Sequence, residues 1–244
     1  MSGPSSRRQR RLEILAGGAV YLVTEESLSA GRRSEDVALA ALDAGVRVIQ
    51  VREKDGPARR ALEIALNLRE TTRRYGALLI VNDRIDLALA CGADGVHLGQ
   101  EDLPLSLARE MLGDDALVGL SITEPDQLVA RDARAADYLG VGAVFQTGSK
   151  SDARLAGLAL LEAARKASAA PIVAIGGVDA TNAELAVRSG ADVVAVISAI
   201  TRAPDPGVAA AELLSITRAA LAAAGHSVRA AATPGGAPAT EARR

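Results

Sequence analysis

The chain has 244 residues, 49% of them hydrophobic and 24% charged, with one cysteine and a formal net charge of -2. That length carries one large core or two small ones, and that composition excludes a disordered chain. A balance of 28 basic against 30 acidic residues offers no overall positive field to nucleic acid or to an acidic membrane surface, and a lone cysteine excludes a disulfide framework and an all-cysteine zinc site.

At the N-terminus, MSGPSSRRQRRLEILAGGAVYLV places basic residues before an apolar run. The run over 16–23 is short and lacks a convincing cleavage site, and no apolar stretch approaches the roughly 20 residues of a membrane helix. The chain therefore reads as cytoplasmic, with small-molecule partners and neither a nucleic-acid nor a membrane partner; a homo-oligomer is compatible with it. Residues 1–16 read as a partly disordered lead-in to a short helix around 10–15, with its charge solvated. Short β-branched or apolar runs then recur at 19–24, 46–53, 78–83, 95–100, 117–122, 138–145, 171–178 and 193–200. Between them lie segments with apolar residues at helical spacing, such as SEDVALAALDAG and ARRALEIALNLRETTRRYG. Several of the strand runs are almost continuously apolar, as parallel strands covered on both faces are. Eight such units, in a chain near the usual length of about 250 residues, predict an α/β fold, a single-domain (β/α)8 TIM barrel over 17–224. An open doubly wound sheet is the alternative, but no GxGxxG follows the first strand. The segment 225–244, rich in Ala, Pro, Gly and Arg without apolar period, reads as a disordered tail.

In such a barrel the carboxyl ends of the strands face the active site, and polar residues concentrate there. Strand two ends in Gln50-Val51-Arg52-Glu53-Lys54, and period two puts Gln50, Arg52 and Lys54 on one face, Val51 and Glu53 on the other. Lys54, Lys150 and Lys166 are the only lysines among the 28 basic residues, so each marks a place where a compact ammonium is wanted. Structural ion pairing is the alternative role for Arg52 and Lys54. Strands three and four deliver Asp83 and Asp102 to adjoining loops. Magnesium commonly takes one or two carboxylates with waters and substrate phosphate oxygens; helix capping is the competing role for each aspartate. His97 suits a barrel-lining position better than a general base, and Cys91 reads as a packed apolar residue. Strand five brings Ser121 and Thr123. Strand six leads into Gln146-Thr147-Gly148-Ser149-Lys150, suited to wrapping an anion with amides, hydroxyls and an ammonium. After strands seven and eight come Gly176-Gly177 and Ile197-Ser198, where barrels frequently bind phosphate. Two anion sites on one rim, one with candidate metal ligands, point to a two-substrate reaction. No Ser-His-Asp set or paired-Glu constellation supports covalent hydrolysis.

The segments QVREK, VNDRIDLALACGADGVHLGQEDLP, ADYLGVGAVFQTGSK, PIVAIGGV and AVISAI, in this order, resemble the thiamine-phosphate synthase (thiamine-phosphate pyrophosphorylase) family over 19–206. The resemblance implies a (β/α)8 transferase that uses Mg2+ to join hydroxymethylpyrimidine diphosphate to thiazole phosphate, releasing thiamine phosphate and pyrophosphate. By resemblance, Gln50, Val51, Arg52, Glu53 and Lys54 with Asn82 hold the pyrimidine diphosphate, and Asp83 and Asp102 bind magnesium. Ser121 and Lys150 contact the diphosphate or the departing pyrophosphate, and with Arg52 and Lys54 they form the implied catalytic set. Thr147, Gly148 and Ser149, with Gly177, Ile197 and Ser198, hold the thiazole phosphate. Two departures stand out. The family's PTxTK loop reads Gln146-Thr147-Gly148-Ser149-Lys150, without the proline that would fix φ, and Ser121 is followed by Ile122-Thr123 where a His-Thr or His-Ser ending is common.

The expected chemistry is a dissociative substitution, in which the pyrimidine's CH2–O bond ionises and the thiazole nitrogen captures the cation. Two rivals remain: a thiazole tautomerase-like isomerase, which has no use for the aspartate pair, and a non-catalytic barrel that binds thiazole or thiamine phosphate. Shared fold alone does not separate these.

Overall fold

The computed structural model describes residues 5–54, 56–146 and 155–225. A helix α1 (Ser6–Gly17) precedes β1 (Val20–Thr24), and a single 3-10 turn at Glu26–Leu28 leads to α2 (Ser34–Ala44) and β2 (Val48–Val51). Next come α3 (Ala58–Arg74), β3 (Leu78–Asn82), α4 (Ile85–Cys91), β4 (Gly95–Leu98), α5 (Leu105–Leu112) and β5 (Leu117–Ile122). A second 3-10 segment at Pro125–Val129 leads to α6 (Arg131–Ala135) and β6 (Tyr138–Val141), followed by α7 (Gly157–Ala167), β7 (Ile172–Ile175), α8 (Ala183–Arg188) and β8 (Val193–Val196). The chain closes with α9 (Ser198–Thr201) and α10 (Pro206–Ala223).

The eight strands form a closed barrel in sequence order, every neighbour parallel, with β8 returning to β1. All eight lie inside the apolar runs read from the sequence, and closure leaves no place for the open-sheet alternative. Several strands end before the run does; β7 stops where Gly176 and Gly177 take positive φ, and β8 where α9 begins at Ser198. Among the described residues no helix is long and apolar enough to cross a membrane.

Period two divides each strand between two apolar layers. Leu22, Ile49, Val51, Leu79, Val81, Val118 and Leu139 face the helices, where they pack with Val37, Ile64, Leu68, Ala108 and Leu161. Tyr21, Val23, Val48, Leu78, Ile80, Leu117, Tyr138 and Val193 fill the barrel, joined by Leu12 and Leu15 of α1. Helix α1 thus closes the amino-terminal end of the barrel. It is longer than the short 10–15 helix read from the sequence, begins at a Ser5 cap bonded to the Arg8 amide, and its charge is not simply solvated. Arg8 pairs with Asp137, and Arg11 sits 2.8 Å from Asp94. Those aspartates belong to a clasp that recurs around the barrel floor. Asp94, Asp137 and Asp192, each just ahead of an even-numbered strand, accept from the amides of Leu79, Val118 and Ile172 on the odd-numbered strands. Arg69 of α3, Arg109 of α5 and Arg165 of α7 hold the same carboxylates. The floor is fixed by charge and packing, and the opposite rim is left to carry loops.

Candidate functional site

The inward positions of the strands change from apolar to polar toward their carboxyl ends: Gln50 on β2, Asn82 on β3, His97 on β4 and Ser121 on β5. Gln50 is buried inside the barrel, donating to the Tyr21 hydroxyl at 2.7 Å. Tyr21 Oη lies 3.2 Å from Tyr138 Oη, Tyr138 Oη 3.2 Å from His97 Nδ1, and His97 Nε2 2.9 Å from Ser121 Oγ. Burial pushes both phenols well above the ordinary tyrosine range, so both keep their protons. One arrangement that uses each proton once runs from Gln50 through Tyr21 and Tyr138 to His97 Nδ1, with His97 Nε2 donating to Ser121. In that tautomer the Ser121 proton is free to be donated to a ligand oxygen. His97 is therefore a barrel-lining residue that orients Ser121.

Two glycines make room for this chain. A Cβ on Gly119 would lie 2.2 Å from the Tyr138 ring and 2.6 Å from His97 Nδ1, and one on Gly140 would lie 2.7 Å from His97 Cε1. The rings stack with centroids 5.4 Å apart. Gly119→Ala is expected to cost about 1–3 kcal/mol by overpacking, read from the urea midpoint. Gly17→Ala, with nothing within 4 Å of the new methyl, is its neutral control.

Beyond the strand ends stand the charged groups. Arg52 follows β2, is buried, and pairs through Nη1 with the buried Glu25 that follows β1. Lys54 Nζ is half exposed, 3.7 Å from Asp83 Oδ2. Both cations thus have carboxylate neighbours, as the ion-pair alternative anticipated. Val51 packs its side chain in the outer apolar layer, leaving only its main chain at the rim. Glu53 turns away from Lys54, as period two required: its Oε1 accepts from Ser34 Oγ at 2.8 Å, both oxygens accept from the Glu26 amide, and burial pushes its carboxyl up.

Neither aspartate caps the helix that follows it. The N-cap positions of α4 and α5 are taken by Arg84 and Pro104, neither of which makes a side-chain cap bond. Asp83 instead adopts a left-handed φ of 59° while its amide donates to His97 O at 2.9 Å, a strained conformation of the kind that clusters at functional sites. Asp102 Oδ2 accepts from the Gly99 amide at 2.6 Å. Burial, then the hydrogen-bonded and charged Asp102 carboxyl beside it, push Asp83 up, opposed by Lys54. Two neighbouring carboxylates, one of them partly desolvated, are a pair that a cation would relieve. Among the described residues no cluster of three or more His, Cys, Asp or Glu side chains could hold a metal, so any ion here would complete its shell with water or ligand oxygens.

Across the barrel, the ends of β6, β7 and β8 build a cradle of main chain. The Val144 and Phe145 amides donate to Ile175 O and Gly176 O at 3.0 and 2.9 Å. Gly177, at φ 68°, approaches so closely that a Cβ would lie 2.3 Å from Gln146 O, and its carbonyl accepts from Asn182 Nδ2 at 2.8 Å. Ile197 is buried and Ser198 opens the short α9. Thr147, Gly148, Ser149 and Lys150 lie outside the described residues, as do residues 226–244.

Gln50, Arg52, Lys54, Asn82, Asp83, Asp102 and Ser121 therefore stand on the β2–β5 arc of the rim, with Gly177, Ile197 and Ser198 on the β7–β8 arc facing it across the closed barrel. Sequence reasoning missed Glu25, Tyr21 and Tyr138. The tyrosines had one usable signal, being two of only three in a chain with 2% aromatic residues; Glu25 had none beyond its place after a strand.

A family model described as thiamine monophosphate synthase matches residues 20–200. The thiamine-phosphate synthase of Haloarcula marismortui is 50% identical over 200 residues, covering 80% of this chain and 95% of its own. That of Moorella thermoacetica is 46% identical over 198 residues, covering 81% of this chain and 94% of its own. Among solved structures, a thiamine phosphate pyrophosphorylase from Pyrococcus furiosus superposes with a TM-score of 0.77 at 37% identity, covering 88% of this chain and 98% of that one.

Proposed function

The chain belongs to the thiamine monophosphate synthase family, and from that premise we propose how its rim performs the family's reaction. It is a transferase: it condenses 4-amino-2-methyl-5-(diphosphooxymethyl)pyrimidine with thiazole phosphate, giving thiamine phosphate and pyrophosphate. The relatives' activity favours this over the isomerase and the non-catalytic barrel.

The observation that carries the mechanism is the Asp83–Asp102 pair, adjacent to Lys54 and free of helix-capping duty. Its hard, anionic oxygen donors fit Mg2+, which takes one or two carboxylates and fills its shell with water and phosphate oxygens. When bound there, the ion would supply charge neutralisation to the diphosphate. The protein's own groups do the rest. Arg52 and Lys54 hold the diphosphate oxygens, and Ser121, its proton directed outward by His97, donates to one of them. Gln50 and Asn82 contact the pyrimidine from inside the barrel mouth. As the CH2–O bond ionises, these cations and donors stabilise the negative charge gathering on the leaving group. The Gly177 main chain and Ser198 hold the thiazole phosphate on the opposite arc, so its ring nitrogen meets the pyrimidine carbon. That nitrogen carries no proton, and no protein base is needed. Lys150, Thr147 and Ser149, which lie outside the described residues, are assigned to the substrate phosphates by the resemblance of Gln146-Thr147-Gly148-Ser149-Lys150 to the family's PTxTK segment.

Incubation of the purified protein with both phosphorylated heterocycles tests this. Thiamine phosphate should form with Mg2+ and stop when EDTA is added in excess. Undiminished synthesis in EDTA would remove the metal from the mechanism, and tautomerisation of the thiazole without any synthesis would restore the isomerase.

A further inference from the structure

Arg52 is held by a residue to which the reaction as described gives no part. Adjacent strands bring the two together: β1 and β2 pair in register at Thr24 and Val51, and the ladder runs one step further, the Arg52 amide donating to Thr24 O at 3.0 Å. The next residue along β1 is Glu25, whose carboxylate meets the Arg52 guanidinium at Nη1, both side chains being less than a tenth exposed. An arginine charge buried this far is costly without an anion beside it.

Glu25 is itself held through both its side chain and its main chain. Ser27 Oγ donates to its Oε1 at 3.1 Å, and Ser29 Oγ donates to its carbonyl at 2.6 Å. The same turn is fastened to the end of β2 a second time. The Glu26 amide donates to both Glu53 oxygens at 3.3 Å, and the Glu26 carboxylate takes Arg60 at 2.9 Å. A guanidinium is a rigid plane of five donors, so an anchor that holds Nη1 restricts the directions open to the others. A diphosphate then meets a fork already aimed, where a freely rotating arginine would have to be ordered at the moment of binding.

We infer that Glu25 is the positioning residue of Arg52, holding its guanidinium at the barrel mouth in the one orientation that receives a diphosphate. The inference rests on the assignment of Arg52 to the diphosphate given above. It differs from a purely electrostatic role for Glu25: a mere counter-charge would weaken the hold of Arg52 on an anion, so its loss would tighten binding.

The test is calorimetric titration of magnesium pyrophosphate into the wild type, Glu25→Gln, Arg52→Ala and the double variant, with KM measured for both substrates. Glu25→Gln should weaken pyrophosphate roughly tenfold and raise the KM for the pyrimidine diphosphate to match, leaving the KM for thiazole phosphate unchanged. Added to Arg52→Ala, it should change neither. If Glu25→Gln binds pyrophosphate as well as the wild type, or more tightly, while Arg52→Ala loses it, the positioning role is overturned and the site assignment stands. If Arg52→Ala binds like the wild type, the assignment itself fails and the inference with it. Should Glu25→Gln not fold, Glu25→Asp, with its charge on a shorter arm, is expected to weaken pyrophosphate severalfold, and wild-type affinity in that variant would overturn the inference.

Discussion

Asp102→Ala is expected to lower kcat/KM for the condensation by about a thousandfold, equivalent to about 4 kcal/mol of transition-state stabilisation. The protein should remain folded. Besides its hydrogen bond with the Asp83 carboxyl, Asp102 accepts the Gly99 amide, whose loss near solvent costs about 1 kcal/mol. Helix α5 begins without its help. Large kinetic loss and small stability loss together are what a ligand-holding carboxylate predicts and what a helix cap does not. Asp102→Asn, which keeps an acceptor for Gly99 and removes the charge, should fall almost as far. Steady-state kinetics at saturating Mg2+ beside urea unfolding give both numbers. Near-normal turnover in Asp102→Ala would remove the aspartate pair from the chemistry.

The opposite pattern is expected at the barrel floor, where Asp137→Ala should destabilise the protein by about 3–5 kcal/mol with the rim chemistry intact in whatever fraction stays folded. Its carboxylate is 1% exposed and is shared by Arg8 of α1 and Arg109 of α5. It also receives the Val118 amide at 2.7 Å. Removing it takes the carboxylate from two partly buried guanidinium groups, Arg109 keeping the Gly113 and Ala116 carbonyls, and leaves one buried amide without its acceptor, each at a cost. At the roughly 2–4 °C per kcal/mol usual for chains of this size, the melting temperature should drop by about 10 °C. A shift under about 2 °C would mean that the clasp does not hold α1 on the barrel. Asp115→Ala, which loses the largely exposed Arg7 and the Ser5 hydroxyl as partners, is the contrasting variant and should cost about 1 kcal/mol or less.

The two substituted residues lie at opposite ends of the same barrel, Asp102 beyond β4 and Asp137 ahead of β6, and the sequence was legible at one end far more than at the other. The rim could be read because its signals are local. Gln50, Arg52 and Lys54 alternate within five residues, and the NDR and GQED segments place Asp83 and Asp102 just beyond two strands. The strand count was legible for the same reason, since each β run and the helix after it declare themselves within a short window. What escaped is long-range. The Tyr21–Tyr138 contact joins residues 117 apart in the chain, and Arg8 meets an aspartate 129 positions away. An arginine-rich start with Glu13 as its one nearby acid looks solvated until the fold brings Asp94 and Asp137 beneath it. Glu25 was hidden differently: its partner is one strand away, but a carboxylate after a strand looks like loop until the register is known. The aspartate ahead of β4, β6 and β8 did leave a trace, an Ala-Asp pair at the start of each of these runs, visible once the clasp is recognised.

The condensation requires that one cavity join two phosphorylated substrates. Its most direct test is to quantify thiamine phosphate and pyrophosphate together, in a single time course with both heterocycles and Mg2+. The two should appear in equal amounts from the first turnover, and pyrophosphate should be almost absent when thiazole phosphate is left out. Release of pyrophosphate without thiamine phosphate, or formation of neither, would contradict the pairing of the Arg52–Asp83–Asp102 arc with the Gly177–Ser198 cradle.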